Sequence, residues 1–190
     1  MATVANIDWP KNGNDAQQKQ KDDFLAISPN ARMPALVDPE GEEGPIQIFE
    51  SGAILIYLAE KSGQFMPQDQ AGFYNVCQWL FWQMANLGPA AGQTSHFINY
   101  APEGNEYSKN RYLQEYDRLL GVMNFQLGKN AYLAGEHYSI ADMASFPWLL
   151  PYKHYGFTLE EFPHLRRWFD ELKQRPMLRK GIDTGKDWRP

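Results

Sequence analysis

The chain has 190 residues, 43% of them hydrophobic and 22% charged, with a formal net charge of −5. That composition suits one large or two small packed domains rather than disorder, and the absence of any Lys/Arg block argues against nucleic acid as the main partner. No apolar run approaches the ~18–20 residues that cross a bilayer, the N-terminus has no signal-peptide pattern, and the one cysteine, Cys77, excludes an internal disulfide and suits a reducing cytosol.

In chain order, Thr3 to Ile7 is a short β-like run, and the polar stretch after it reads as a loop leading into a helix that ends near Ala26. Ser28-Pro29-Asn30 is a turn. Met33 to Asp38 is a strand entered through Pro34, and Ile46 to Phe49 a second. Pro39 to Pro45 between them is Gly- and Pro-rich hairpin-loop chemistry. Residues 51–62 then show helical spacing and stop at Gly63, so the first part of the chain is a small mixed α/β unit.

From about residue 71 strand patterns vanish. A helix is expected over 71–87, with Val76, Leu80, Met84 and Leu87 on one face, and Gly88-Pro89 allows a kink or break. A second long helix is expected over 107–128. Ser139-Ile140-Ala141-Asp142 has the S-x-x-D form in which a hydroxyl caps a helix and an acid reaches back. Ser139 and Asp142 are therefore read as a structural helix cap, with Tyr138 and Met143 at staple positions. The helix it opens should stop near Pro151, another should run from about Pro163 to Gln174, and a loose tail is expected after Gly181.

Glu50-Ser51 lies where the second strand becomes a helix. Ser51 is placed to be the N-cap, and the free amides and dipole of a helix N-terminus favour an anion. A hydroxyl and amides for a carboxylate, beside Glu50 for an ammonium, describe a receptor for an amino-acid head group. The plain alternative is a helix start beside a solvated acid. Cys77 reads as a core or interface residue. Phe97, Tyr100, Tyr107 and Trp148 read either as core or as the lining of a second-substrate pocket.

Three stretches together resemble the cytosolic glutathione transferases: Phe24 to Asp38, with Met33-Pro34 at its centre, then Phe49 to Glu60, then Ser139 to Asp142. Gln78 to Gln83, with Gly88-Pro89 and Gly92-Gln93, resembles the bacterial Nu-class subgroup and its yeast nitrogen-regulator prion-like relatives in particular. The resemblance implies a thioredoxin-like glutathione-binding domain over 1–63 and an all-α helical-bundle domain over 71–190. It implies that the Met33-Pro34 bond is cis and that the Met33 backbone pairs with the cysteinyl part of glutathione. Glu50 and Ser51 would hold the γ-glutamyl end. Arg111 matches a ligand-reaching arginine of the Nu class, with a solvated helix charge as the alternative.

Against the family pattern, Val4 to Asp8 resembles the second strand, so the N-terminal domain is expected to be truncated, lacking the first βα unit. That unit carries the family's thiol-activating residue, so no catalytic residue is assigned. Residues 3–8 are expected to take the vacant place beside the 35–38 strand. The function implied is glutathione-dependent thiol transfer or disulfide reduction by a cytoplasmic homodimer. Its ligands would be glutathione and a small electrophile or disulfide, with no metal. The alternative is a non-catalytic dimerisation or docking module of the same fold.

Overall fold

The computed structural model describes residues 15–184, and the expected strand at 3–8 lies outside them. The chain divides into two compact units, the first ending at Leu58 and the second spanning Ala59–Thr184.

In the first unit, helix α1 (Asp15–Ile27) precedes two short strands, β1 (Ala35–Asp38) and β2 (Ile46–Phe49), and helix α2 (Ser51–Ser62) follows. The strands form an antiparallel pair in the register Ala35↔Phe49 to Asp38↔Ile46. The loop between them closes with the Gly44 N–H donating to the Gly41 carbonyl at 3.0 Å. Gly44 sits at φ +116, open to glycine and costly for a side chain. Asp38 ties β1 to α2 by accepting the Tyr57 hydroxyl at 2.7 Å, and it also accepts the Glu40 N–H at 2.9 Å. Phe24 of α1 and Ile54 of α2 are buried.

The second unit is helical: α3 (Gln70–Trp82), α4 (Gly88–Asn99), α5 (Glu106–Leu127), α6 (Ile140–Ser145), α7 (Pro163–Lys173) and α8 (Pro176–Asp183). Asp69 caps α3 by accepting the Gly72 N–H at 2.9 Å. Of the kink or break allowed at Gly88-Pro89, the break does not occur. The helix widens into a π turn over Gln83–Leu87 and continues as α4, with the Gly88 N–H donating to the Gln83 carbonyl. A proline ring collides with the carbonyl four residues earlier, and the wider turn relieves that collision without breaking the helix.

The core of this unit joins Leu87 and Ala91 to Tyr116, Leu119, Leu120 and Met123 of α5 and to Leu165 and Trp168 of α7. Each fully buried large side chain contributes about 1.5–3 kcal/mol relative to exposure. The Tyr116 hydroxyl stays satisfied by donating to the Trp148 carbonyl at 3.0 Å. Cys77 is buried within α3.

Two expectations are corrected at the C-terminal end. α6 is short and passes into a 3-10 turn over Phe146–Leu149, because Pro147 interrupts the α-helical ladder. Residues 176–183 form a helix, with Pro176 in its first turn and Leu178 and Ile182 packed on the core, so the loose tail expected after Gly181 does not begin before Asp183, and the rest of it, 185–190, lies outside the described residues.

Candidate functional site

The hairpin brings together residues far apart in sequence. Ala35 pairs with Phe49, so Met33-Pro34, entering β1, and Glu50-Ser51, leaving β2, lie at the same end of the two-stranded sheet. The Met33-Pro34 peptide bond is cis. Met33 is 65% exposed, and among the described residues its backbone N–H and C=O have no hydrogen-bond partner. An exposed, unpaired stretch of backbone beside a strand can accept an extended peptide as an added strand. Ser28, buried just upstream, fixes the approach by donating its hydroxyl to the Arg32 carbonyl at 2.9 Å.

Glu50 adopts φ +70, a left-handed conformation rare for a side-chain-bearing residue. Its carbonyl accepts the Ile54 N–H at 3.0 Å, so Glu50 occupies the cap position of α2 and Ser51 is the first helical residue. This corrects the expectation that Ser51 is the N-cap: the left-handed turn at Glu50 starts the helical ladder one residue early. Both residues still stand at the N-terminus of α2, where first-turn amides have no carbonyl partner inside the helix.

Arg111 lies in α5, exposed, in the helical unit. It stands one turn before Glu115. The Arg118 hydrogen bond, with smaller help from the charges of Arg118 and Arg111, holds the Glu115 carboxyl below its usual range. Of the four aromatics, Phe97 stacks on Tyr112 at 5.4 Å and Trp148 is half-buried. Tyr100 and Tyr107 are exposed and belong to no core. Burial pushes the Cys77 thiol up, away from the thiolate form a nucleophile needs.

Ser139 and Asp142 form a reciprocal cap at the start of α6. The Ser139 hydroxyl oxygen accepts the Ala141 N–H at 3.3 Å, and Asp142 Oδ2 accepts the Ser139 N–H at 3.0 Å. Asp142 also accepts the Leu133 N–H at 3.0 Å and the Trp168 indole N–H at 2.8 Å. Its reach across the unit was not readable from S-x-x-D, which reports a local cap alone. Tyr138 packs edge-on against Phe65 at 5.9 Å, with the Arg175 guanidinium over its ring at 3.9 Å.

A strand-to-helix junction with an exposed backbone edge, followed by a helical domain, defines a thioredoxin-like binding module joined to an α-helical bundle. The glutathione S-transferase N-terminal domain family matches residues 8–60 and the C-terminal domain family residues 87–176, and the chain belongs to the glutathione S-transferase family. It is 42% identical over 156 residues to the disulfide-bond oxidoreductase YfcG of Escherichia coli, covering 81% of this chain and 73% of that protein. Among solved structures it is similar to a Burkholderia graminis glutathione transferase with two glutathione molecules bound per subunit. That likeness has 41% identity and a TM-score of 0.79, over 86% of this chain and 71% of the other. A Pseudomonas putida glutathione transferase with one glutathione disulfide bound per subunit is 36% identical, with a TM-score of 0.80, over 90% and 78%. No helix among the described residues is long and apolar enough to cross a membrane.

Proposed function

We propose that this chain binds glutathione at the junction formed by Met33, Pro34, Glu50 and Ser51, with Arg111 as a further contact, and reduces small disulfides at the expense of two glutathione molecules. The observation that supports this best is Glu50, held at φ +70 at the mouth of α2. A left-handed non-glycine residue costs roughly 1–2 kcal/mol, and such positions cluster where a side chain must be aimed at a ligand. Turned there, the Glu50 carboxylate faces an ammonium while the Ser51 hydroxyl and the first amides of α2 hold the neighbouring carboxylate, the two charges of a γ-glutamyl end. The exposed Met33 backbone serves the cysteinyl part as a short added strand.

In the reaction one glutathione thiolate attacks the disulfide, displaces one thiolate and leaves a mixed disulfide. A second glutathione thiolate attacks the glutathione sulfur, releases the second thiolate and forms glutathione disulfide. The two protons lost by the glutathione thiols end on the two product thiols. No protein cysteine takes part, which suits a chain whose one cysteine is buried. The Burkholderia and Pseudomonas relatives hold the two oxidation states that this cycle joins. These residues hold the ligand, and none of them is assigned the deprotonation of its thiol. The same reading places the chain with Nu-class transferases, as a cytoplasmic homodimer.

Calorimetric titration with reduced and oxidised glutathione tests it, comparing wild type with Glu50→Ala and Ser51→Ala. Each loss of a charge-assisted hydrogen bond should weaken binding by about 1.5–3 kcal/mol, roughly ten- to a hundred-fold. Turnover of bis(hydroxyethyl) disulfide should fall in parallel. Absence of binding at millimolar glutathione would favour a docking or dimerisation module instead.

A further inference from the structure

We infer that Met33 is an oxidation site: conversion of its thioether to the sulfoxide by a hydroperoxide weakens ligand binding at the end of the hairpin that carries Glu50 and Ser51. The inference rests on the reading of that junction as a glutathione site.

Exposure selects the sulfur. Met33 is 65% and Met177 74% exposed, whereas Met66 and Met123 are buried and Met84 and Met143 half-buried. Oxygen transfer needs direct approach of the oxidant to the thioether, so Met33 and Met177 should react first. The outer oxygen of the hydroperoxide passes to Sδ, the sulfur gives up two electrons, and the hydroperoxide leaves as its alcohol. Cys77, the other sulfur chemistry in reach of an oxidant, is buried, and burial pushes its thiol away from the reactive thiolate form.

Position turns this modification into a change of binding. Met177 lies in α8 of the helical unit, but Met33 enters β1 beside the start of α2, because Ala35 pairs with Phe49. The backbone leading to Met33 is fixed. The Ala31 N–H donates to the Ser28 carbonyl at 2.9 Å, the Ser28 hydroxyl donates to the Arg32 carbonyl at 2.9 Å, and Ala31 stands at φ +53. Pro34 confines the residue before it to extended backbone. The Met33 side chain therefore cannot be carried away by a backbone rotation. As a thioether it is apolar and leaves nearby donors alone. As a sulfoxide it carries a polar oxygen that seeks a donor. The donors at this end, the Met33 N–H and the first amides of α2, are those that a γ-glutamyl-cysteinyl ligand needs. The sulfoxide oxygen competes for them and sets its own partial negative charge against the ligand's carboxylate.

The test treats the full chain with hydrogen peroxide, removes the peroxide, maps methionine oxidation by peptide mass and titrates reduced glutathione calorimetrically. Met33 and Met177 should gain one oxygen each ahead of the other methionines, and affinity should fall about tenfold. Methionine sulfoxide reductases A and B with dithiothreitol should restore it. Met177→Leu should lose affinity on oxidation as wild type does. Met33→Leu should show one affinity before and after peroxide, whatever its starting value. The inference is overturned if Met33 stays unoxidised while Met177 is fully converted, if affinity is unchanged once Met33 is fully converted, or if the reductases do not restore it. A peroxide-dependent loss in Met33→Leu would overturn it as well. Wild type and Met177→Leu decide the matter even where Met33→Leu does not bind. Absence of glutathione binding before any oxidation would instead overturn the reading of the junction, and the inference with it.

Discussion

Trp168 donates its indole N–H to Asp142 Oδ1 at 2.8 Å, and both side chains are fully buried. The same oxygen accepts the Leu133 N–H, and the other accepts the N–H and hydroxyl of Ser139. One carboxylate thus joins α6, α7 and the segment before α6. Burial pushes its carboxyl above the usual range, against the pull of these four donors. Asp142→Ala should therefore cost more than a surface cap is worth. With the Leu133, Ser139 and Trp168 donors left unpaired in the core, the loss should be about 3–5 kcal/mol, well above the ~0.5–2 kcal/mol of a cap alone. Denaturant unfolding measures it, and a red-shifted Trp168 emission should accompany it. A loss under about 2 kcal/mol would show that the cap is local.

Helix α7 borrows its cap from another helix. Phe162 precedes it and offers no side-chain acceptor, but Asn124 Oδ1 of α5 accepts the His164 N–H at 2.9 Å and the Leu165 N–H at 3.1 Å. These are the amides that an N-cap side chain normally satisfies. Asn124→Ala should lower stability by about 1–2 kcal/mol, and Asn124→Asp should keep most of it. If thermal unfolding of Asn124→Ala matches wild type, water serves those amides equally well.

Burial raises the Tyr138 phenol to about 12, and the nearby Arg175 only partly offsets it. A folded-state pKa above the ordinary 10 means that the fold favours the neutral phenol. The stabilisation is whole below pH 10 and is lost as pH rises through about 12. The difference in tyrosinate absorbance between wild type and Tyr138→Phe should therefore titrate near pH 12. A difference centred near pH 10 would contradict the burial effect.

At Gly88, a Cβ would stand 2.7 Å from Gln83 Nε2 and 3.4 Å from the Trp148 ring. Gln83 is 2% exposed, so its amide has little room to swing away. Gly88→Ala should destabilise by about 1–3 kcal/mol despite the better helix propensity of alanine. Combining it with Gln83→Ala should recover part of that loss, and a double-mutant cycle from chemical denaturation would expose the coupling. Additive losses would place the strain elsewhere.

Much of the architecture was legible along the chain. Helix α2, strand β2 and the bounds of α5 follow from local period and from Gly and Pro punctuation, and these signals are confined to each element. Met33-Pro34 and Glu50-Ser51 were legible as a pair through family likeness. Their gathering at one end of the hairpin needed the strand register. The left-handed turn at Glu50 was not legible, because nothing about a glutamate announces φ +70. Helix α8 was missed because its contribution lies in the packing of Leu178 and Ile182 against distant helices.

The sequence by itself determined where most of the helices and both described strands form, because capping, periodicity and the missing N–H of proline act within a few residues. It also determined that the chain carries a single cysteine, which cannot form an internal disulfide. Only the tertiary structure decided that Asp142 reaches Leu133 and Trp168 and that Asn124 caps α7. Those relationships join residues many turns apart. Which partner a buried polar or charged group finds depends on the packing of whole helices, which a local pattern does not encode.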